Sequence, residues 1–136
     1  MSNVRENERR EGRLQVLTDA RELCLYTLHI LKNQKVFDRE TDATTIEELR
    51  KCVTDIYKLT YRANSVRVNS SDDWALRDSY QREAIALCSD ILVLIGISKS
   101  LYHLKSTRIK YWSEMVVNLR NKLRRWNESD SARYTK

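Results

Sequence analysis

Apolar residues recur at spacings of three and four along most of this chain, the pattern of helices that turn one face toward a core. Polar stretches at about 33–43, 64–72 and 103–107 interrupt the pattern. Val36 and Phe37, which are apolar residues in the first of these stretches, are expected to fold back onto the core. The pattern predicts four helices, over about residues 13–34, 44–64, 73–102 and 107–128. Four amphipathic helices with short connections predict an all-α fold, an antiparallel up-down four-helix bundle.

The polar ends of the chain lie outside this pattern. We expect a disordered N-terminal tail over residues 1–10, a bundle over 11–130 and a basic C-terminal tail over 131–136. The start of the chain has no apolar stretch, so we expect no signal peptide and a cytoplasmic protein.

The third predicted helix contains the most apolar run of the chain, AIALCSDILVLIGI at residues 84–97. Two apolar stripes pass through it, one with Leu87, Ile91 and Leu94 and the other with Cys88, Leu92 and Ile95. An ordinary surface helix has one stripe. At fourteen residues the run is shorter than the roughly 20 that cross a bilayer. We therefore expect other helices and a second subunit to cover it, and no membrane.

Composition excludes other classes of fold and site. The chain has no proline and two glycines, which argues against an all-β fold with its many turns. The three cysteines, Cys24, Cys52 and Cys88, are widely spaced on apolar faces without a CxxC pair. They are expected to be buried thiols rather than a disulfide framework or a zinc site.

Catalytic and metal-binding signals are missing from the sequence. Neither His29 nor His103 follows a glutamate by three residues, the arrangement that bundle metal sites use. No phosphate-binding loop, zinc-protease motif or nucleophile motif occurs. We therefore predict no enzyme activity, no catalytic residue, no metal and no cofactor.

Positive charge is concentrated in the last quarter of the chain. From Lys105 onward there are nine basic and three acidic residues, which accounts for the whole net charge of +6. Four cations lie between Arg120 and Arg125 without an acid. A solvated face usually mixes signs, so this cluster favours a nucleic-acid partner bound through its phosphates. A solvated face and an acidic protein partner remain alternatives for the same surface.

Several segments resemble one family of four-helix-bundle proteins. They are Tyr26-Thr27, residues 33–37, Ala63-Asn64, Arg77 with Tyr80-Gln81, residues 94–101, Arg108 with Tyr111-Trp112, Arg120, and Trp126-x-x-Ser129-Asp130-x-x-Arg133-Tyr134. Over about residues 14–134 the chain resembles the accessory variability determinant (Avd) of diversity-generating retroelements. Bundle proteins encoded in intervening sequences of ribosomal RNA genes are similar to the same family.

The resemblance implies a function without catalysis. Avd proteins form homopentameric rings with a positively charged surface. They bind the reverse transcriptase of the element and its structured template RNA, and they support mutagenic cDNA synthesis. The alternative is a structural or adaptor bundle of the ribosomal intervening-sequence type that binds only protein.

Two sets of residues are candidates for these contacts. Leu92, Val93, Ile97 and Tyr111 are expected at the contact between subunits, although Tyr111 could instead stack on a base. The candidate contacts to RNA or RNA/DNA are Arg108, Lys110, Arg120, Lys122, Arg124 and Arg125.

Overall fold

The structure, a computed structural model, describes residues 6–135. This part of the chain contains no strand. It forms four helices, α1 (Glu6–Leu31), α2 (Arg39–Ser65), α3 (Ser71–Leu101) and α4 (Ser106–Tyr134). The predictions of an all-helical chain and of four helices are confirmed.

Each helix packs against two others. α1 contacts α2 and α4, and α3 contacts the same two helices from the opposite side. The core between them is filled by one buried stripe from each helix, as the spacing of apolar residues predicts. The stripe of α4 is the most regular and consists of Trp112, Val116, Leu119, Leu123 and Trp126.

The connection between α1 and α2 closes one end of the core. Phe37 is fully buried, and the centre of its ring lies 5.0 Å from that of Tyr102 and 6.1 Å from that of Trp112. The indole of Trp112 donates to the Thr27 hydroxyl over 3.0 Å. The sequence-based expectation that Phe37 folds back onto the core is confirmed.

The start of α2 differs from the prediction. α2 begins at Arg39, inside the predicted loop, and is interrupted at Asp42, where φ is −164° and ψ is 94°. The Asp42 side chain accepts from the amide nitrogens of Thr44 at 3.0 Å and Thr45 at 3.3 Å. Asp42 therefore caps the helical segment that follows, because its carboxylate bonds amides that would otherwise lack a partner.

The ends of the bundle also differ from the predicted tails. Residues 6–10 belong to α1, and residues 131–134 belong to α4. Tyr134 packs on Trp74 of α3, with 5.7 Å between ring centres, and the Arg77 guanidinium lies 5.8 Å from its ring. These contacts extend α4 beyond the predicted boundary at residue 130. Residues 1–5 of the predicted N-terminal tail and residue 136 lie outside the described residues.

α3 exposes part of its apolar surface. Val93 is 65% exposed and Ile97 is 41% exposed, whereas Leu92 is half-buried. Gly96 lies between the two exposed residues, and a Cβ there would meet no atom within 4 Å. Among the described residues, no other helix comes that close to Gly96. Close packing against a neighbouring helix of the same chain therefore does not account for this glycine.

α3 also has the length and composition of a membrane-spanning helix. One 18-residue window in it has a mean hydropathy of 1.8, and 33% of that window is buried within the chain. The fourteen-residue apolar run is too short to span a bilayer, but the whole of α3 has 31 residues. The core helix of a soluble protein has the same properties, so this feature is weak support for a membrane span.

Candidate nucleic-acid interface

The cations of α4 flank its buried stripe on two sides. Successive residues of a helix are rotated by about 100°, so neighbours in sequence point in different directions. Arg120 and Arg124 lie on the side of α3, and Lys122 and Arg125 lie on the side of α1. The continuous cationic run in the sequence is therefore divided between two surfaces of the bundle.

The surface on the side of α3 is partly engaged. Arg120 is half-buried and donates to the Ser89 hydroxyl of α3 over 3.3 Å. Arg124 is exposed. The charges of both arginines lower the pKa of Cys88, but its burial has the larger effect and raises this pKa to about 12. Arg124 is thus the cation on this side that is most accessible to a ligand.

The surface on the side of α1 is a cleft between α1 and α4, with a volume of about 310 Å³. We call it the α1/α4 cleft and define it by five cations and one indole: Arg9, Arg13, Lys122, Arg125, Arg133 and Trp126. Gln15, Ser129 and Asp130 also line it. The packing of α1 against α4 thus brings five cations together around one opening.

Acidic groups balance only part of this charge. Lys122 forms an ion pair with Asp19 of α1. The Glu6 carboxylate lies 3.9 Å from Arg9 and 4.0 Å from both Arg13 and Arg133. Ion pairs at such distances on an exposed side chain contribute little to stability. One glutamate is therefore shared among three arginines, and it holds none of them at hydrogen-bonding distance.

The remaining candidate cations lie near the start of α4. Lys110 is exposed and Arg108 is half-buried. Tyr111 is 55% exposed, and its ring packs edge-to-face on that of Tyr26, with 5.2 Å between centres. Burial raises the pKa of Tyr26 in spite of the opposing charge of Arg108. This end of α4 presents fewer cations than the α1/α4 cleft.

A buried polar network lies beside the cleft. One carboxylate oxygen of Asp130 accepts from Gln81 at 2.9 Å and from Arg77 at 3.4 Å. The amide of Asn127 donates to Gln81 over 2.7 Å and to Asp78 over 2.8 Å. The aspartate of the Trp-x-x-Ser-Asp segment therefore joins α4 to α3.

Sequence reasoning missed the contribution of α1 to the cleft. Arg9 and Arg13 fall in or next to the segment expected to be a disordered tail. Their spacing of four residues places them on one side of a helix, and this spacing was the available signal. Arg133, assigned to the C-terminal tail, also lines the cleft.

The described residues bring few other reactive groups together. All three thiols are free and buried, as expected from their positions. Burial, with a smaller contribution from Asp90, raises the pKa of Cys52 to about 12, so this thiol stays protonated at neutral pH. Both His29 and His103 are exposed. Among residues 6–135 no group of three or more His, Cys, Asp or Glu could hold a metal ion.

Comparison with protein-family models, with curated proteins and with solved structures finds no match for this chain.

Proposed function

We propose that this protein is a noncatalytic RNA-binding subunit of the Avd type. In this function it binds a reverse transcriptase and its structured template RNA and supports mutagenic cDNA synthesis without a cofactor. The observation that carries the proposal is the excess of cations on α4, above all where arginines of α1 join them in the α1/α4 cleft. The ordered resemblance to Avd connects this excess to a retroelement.

Phosphate binding is the natural use of such a surface. Each cation that neutralises a phosphate releases counterions, so the affinity depends strongly on salt and little on base sequence. Arg124 and Arg125 are adjacent and exposed and belong to the two surfaces of α4. One structured RNA that follows α4 could contact both surfaces, which favours recognition of RNA shape.

We also propose the antiparallel up-down arrangement and a homo-oligomeric ring, a pentamer by resemblance. Contacts between α1 and α4 join Thr27 to Trp112 and Asp19 to Lys122, so residue numbers rise along one helix as they fall along the other. The exposed Val93 and Ile97 support a contact between subunits along α3. In the ring, Leu92 and Tyr111 would lie at the same contact, and the protein would be cytoplasmic.

The binding experiment measures affinity for a structured RNA at several salt concentrations. We compare the wild type with Arg120→Glu, Arg124→Glu, Arg125→Glu combined, and with a control of equal charge change, Arg21→Glu, Arg62→Glu, Lys99→Glu. If three phosphate contacts are lost, the slope of log affinity against log salt becomes shallower by about 2–3. If the two triple variants have equal affinities and equal slopes, the assignment of the RNA site to these three arginines is wrong. Circular dichroism checks that the helices persist.

A protein-only adaptor is the second candidate, and the exposed apolar residues of α3 favour it. Such an adaptor shares the oligomer but binds RNA no better than any basic protein. Purification with and without nuclease separates the two functions, since the adaptor keeps its partners after RNA is removed.

Sedimentation tests the oligomer, and a monomer at micromolar concentration without detergent would contradict it. Flotation with lipid vesicles would instead assign the apolar face to a membrane.

A further inference from the structure

Two buried hydrogen-bond donors of the α1/α4 cleft have no partner among the described residues. They are the indole nitrogen of Trp126 and the Nε of Arg9. Trp126 is 8% exposed, so water does not replace the missing partner at its surface. A buried donor without a partner is destabilising, because it has lost its hydrogen bond to water. The cleft therefore contains donors that a ligand acceptor could satisfy after small movements of the flexible side chains around them.

The positive charge of the cleft favours a negatively charged ligand. Five cations line it, and the one acid in the lining, Asp130, is already bonded to Arg77 and Gln81. Lys122 is paired with Asp19. Arg9, Arg13 and Arg133 form only the long pairs with Glu6 among the ion pairs of residues 6–135. An anion with more charge than one carboxylate would interact with them more favourably.

Glu6 occupies the position expected of a displaceable anion. Its two carboxylate oxygens lie within 4.0 Å of Arg9, Arg13 and Arg133, yet its side chain is 69% exposed. Because solvent screens these pairs, little energy is needed to break them. Arginine guanidinium groups bind phosphate oxygens in bidentate pairs at shorter distances. A phosphate can therefore replace Glu6 with better geometry.

The shape of the cleft favours a terminal phosphate over the middle of a strand. Its volume of about 310 Å³ is at the lower end of the roughly 300–1,000 Å³ of small-ligand pockets. A phosphate monoester carries about −1.5 to −2 charges at pH 7, whereas a backbone phosphodiester carries one. Several cations that converge on one small cleft suit the more highly charged group.

We propose that the α1/α4 cleft binds one phosphate monoester, which displaces Glu6 and is held by Arg9, Arg13 and Arg133. This inference rests on the function proposed above, in which the phosphate monoester is the terminal phosphate of an RNA strand.

The test uses one structured RNA in three forms, with a 5′-phosphate, with a 3′-phosphate and with hydroxyls at both ends. Affinities are measured for the wild type, Arg13→Gln, Glu6→Gln and Arg21→Gln. Arg21 is an exposed arginine of the same helix outside the cleft, so its variant matches the charge change of Arg13→Gln. We expect one phosphorylated form to bind the wild type about tenfold more tightly than the hydroxyl form.

The variants should separate the cleft from the rest of the basic surface. Arg13→Gln should remove the preference for the phosphorylated end, and Arg21→Gln should retain it. Glu6→Gln should strengthen binding of the phosphorylated RNA, because the competing carboxylate is lost. Equal wild-type affinities for all three RNAs would overturn the proposal, and so would a preference that Arg13→Gln leaves intact.

A second measurement does not depend on RNA. Inorganic phosphate is titrated into protein labelled with ¹⁵N, and the indole signals of Trp74, Trp112 and Trp126 are followed, with Trp126→Phe for assignment. We expect phosphate to shift mainly the Trp126 signal. If the signal moves but no RNA binds, the phosphate site is supported and the proposed function fails. If RNA binds but the signal does not move, the cleft proposal fails alone.

Discussion

Asp130 separates two regions that use charge in opposite ways. On one side is the buried network in which Arg77, Gln81 and Asn127 bond to one another or to an aspartate. On the other side is the α1/α4 cleft, where cations outnumber acids and their pairs with Glu6 are long. The two regions share one residue and lie on the same end of α4.

The two regions differ in whether their charged side chains are available to bind a ligand. A buried charge is stable only when a partner and hydrogen bonds compensate its loss of water. In the network Asp130 has Arg77 and Gln81 as partners, and Arg77 also donates to the carbonyl of Val66, although its Nε has no partner among the described residues. These bonds connect α3 to α4 and to the end of α2. A charge in an opening keeps much of its water and can exchange partners at little cost. We therefore expect substitutions in the network to change stability, and substitutions in the cleft to change binding.

The largest effect is expected from Arg77→Met in the buried network. Removing this arginine leaves Asp130 buried without a cation, which should lower the free energy of unfolding by about 3–5 kcal/mol. Urea denaturation measures the loss. In the double variant Arg77→Met, Asp130→Asn no uncompensated charge remains, so we expect much of the stability to return. Equal losses in both variants would contradict a role for the ion pair.

A neutral buried group provides the next test, because charging it should also be costly. Burial raises the pKa of Cys88 from its ordinary value of 9.0 to about 12. The unfolded chain therefore loses this proton at lower pH than the folded chain, and stability falls as pH rises from 9 toward 12. Between about pH 8 and about pH 11 the contribution lost is about 2–3 kcal/mol. Urea denaturation of the wild type and Cys88→Ala at both pH values should show this difference, and parallel pH profiles would contradict it.

A substitution on the exposed face of α3 is expected to raise the free energy of unfolding, by less than the losses above. Gly96→Ala should stabilise the isolated chain by about 0.5–1 kcal/mol, because alanine favours the helix and its Cβ meets no atom within 4 Å. Thermal and urea denaturation measure the gain. If sedimentation of the same variant shows a weaker oligomer, another copy packs closely at Gly96. A loss of stability at concentrations where the chain is monomeric would contradict the open surroundings of this residue.

The smallest effect on stability is expected from Arg125→Gln in the cleft. Arg125 is exposed, so the free energy of unfolding should change by less than about 0.5 kcal/mol. The salt slope of RNA binding should still fall by about 1, because one phosphate contact is lost. Arg21→Gln is the matched control and should change neither quantity. A large loss of stability in Arg125→Gln would contradict the expectation that substitutions in the cleft change binding and not stability.

Much of the helical structure could be predicted because local spacing determines it. The stripe from Trp112 to Trp126 needed only the period of a helix, and each of its five members is buried. The burial of Phe37 followed from two apolar residues in a polar loop. The cap at Asp42 was not predicted, because Thr44 and Thr45 each precede a glutamate by three residues, which is the spacing of a capping box.

The candidate site could be predicted only in part. The cationic character of α4 was visible in its sequence, but the pairing of Lys122 with Asp19 was not, since the two residues are 103 positions apart. The roles of Arg9 and Arg133 were hidden in segments assigned to tails. Nothing in the polarity of these segments indicates that the packing of α1 on α4 extends to the ends of both helices.

The sequence by itself determined four helices, their buried stripes and an excess of positive charge near the C-terminus, because each depends on residues close together in the chain. Only the tertiary structure decided which cations meet in a cleft, which are neutralised and which polar groups are buried. Those outcomes depend on distances between helices, and electrostatic energies change steeply with distance and with access to water. The same arginine can hold a fold together or remain available to a ligand according to its neighbours on other helices.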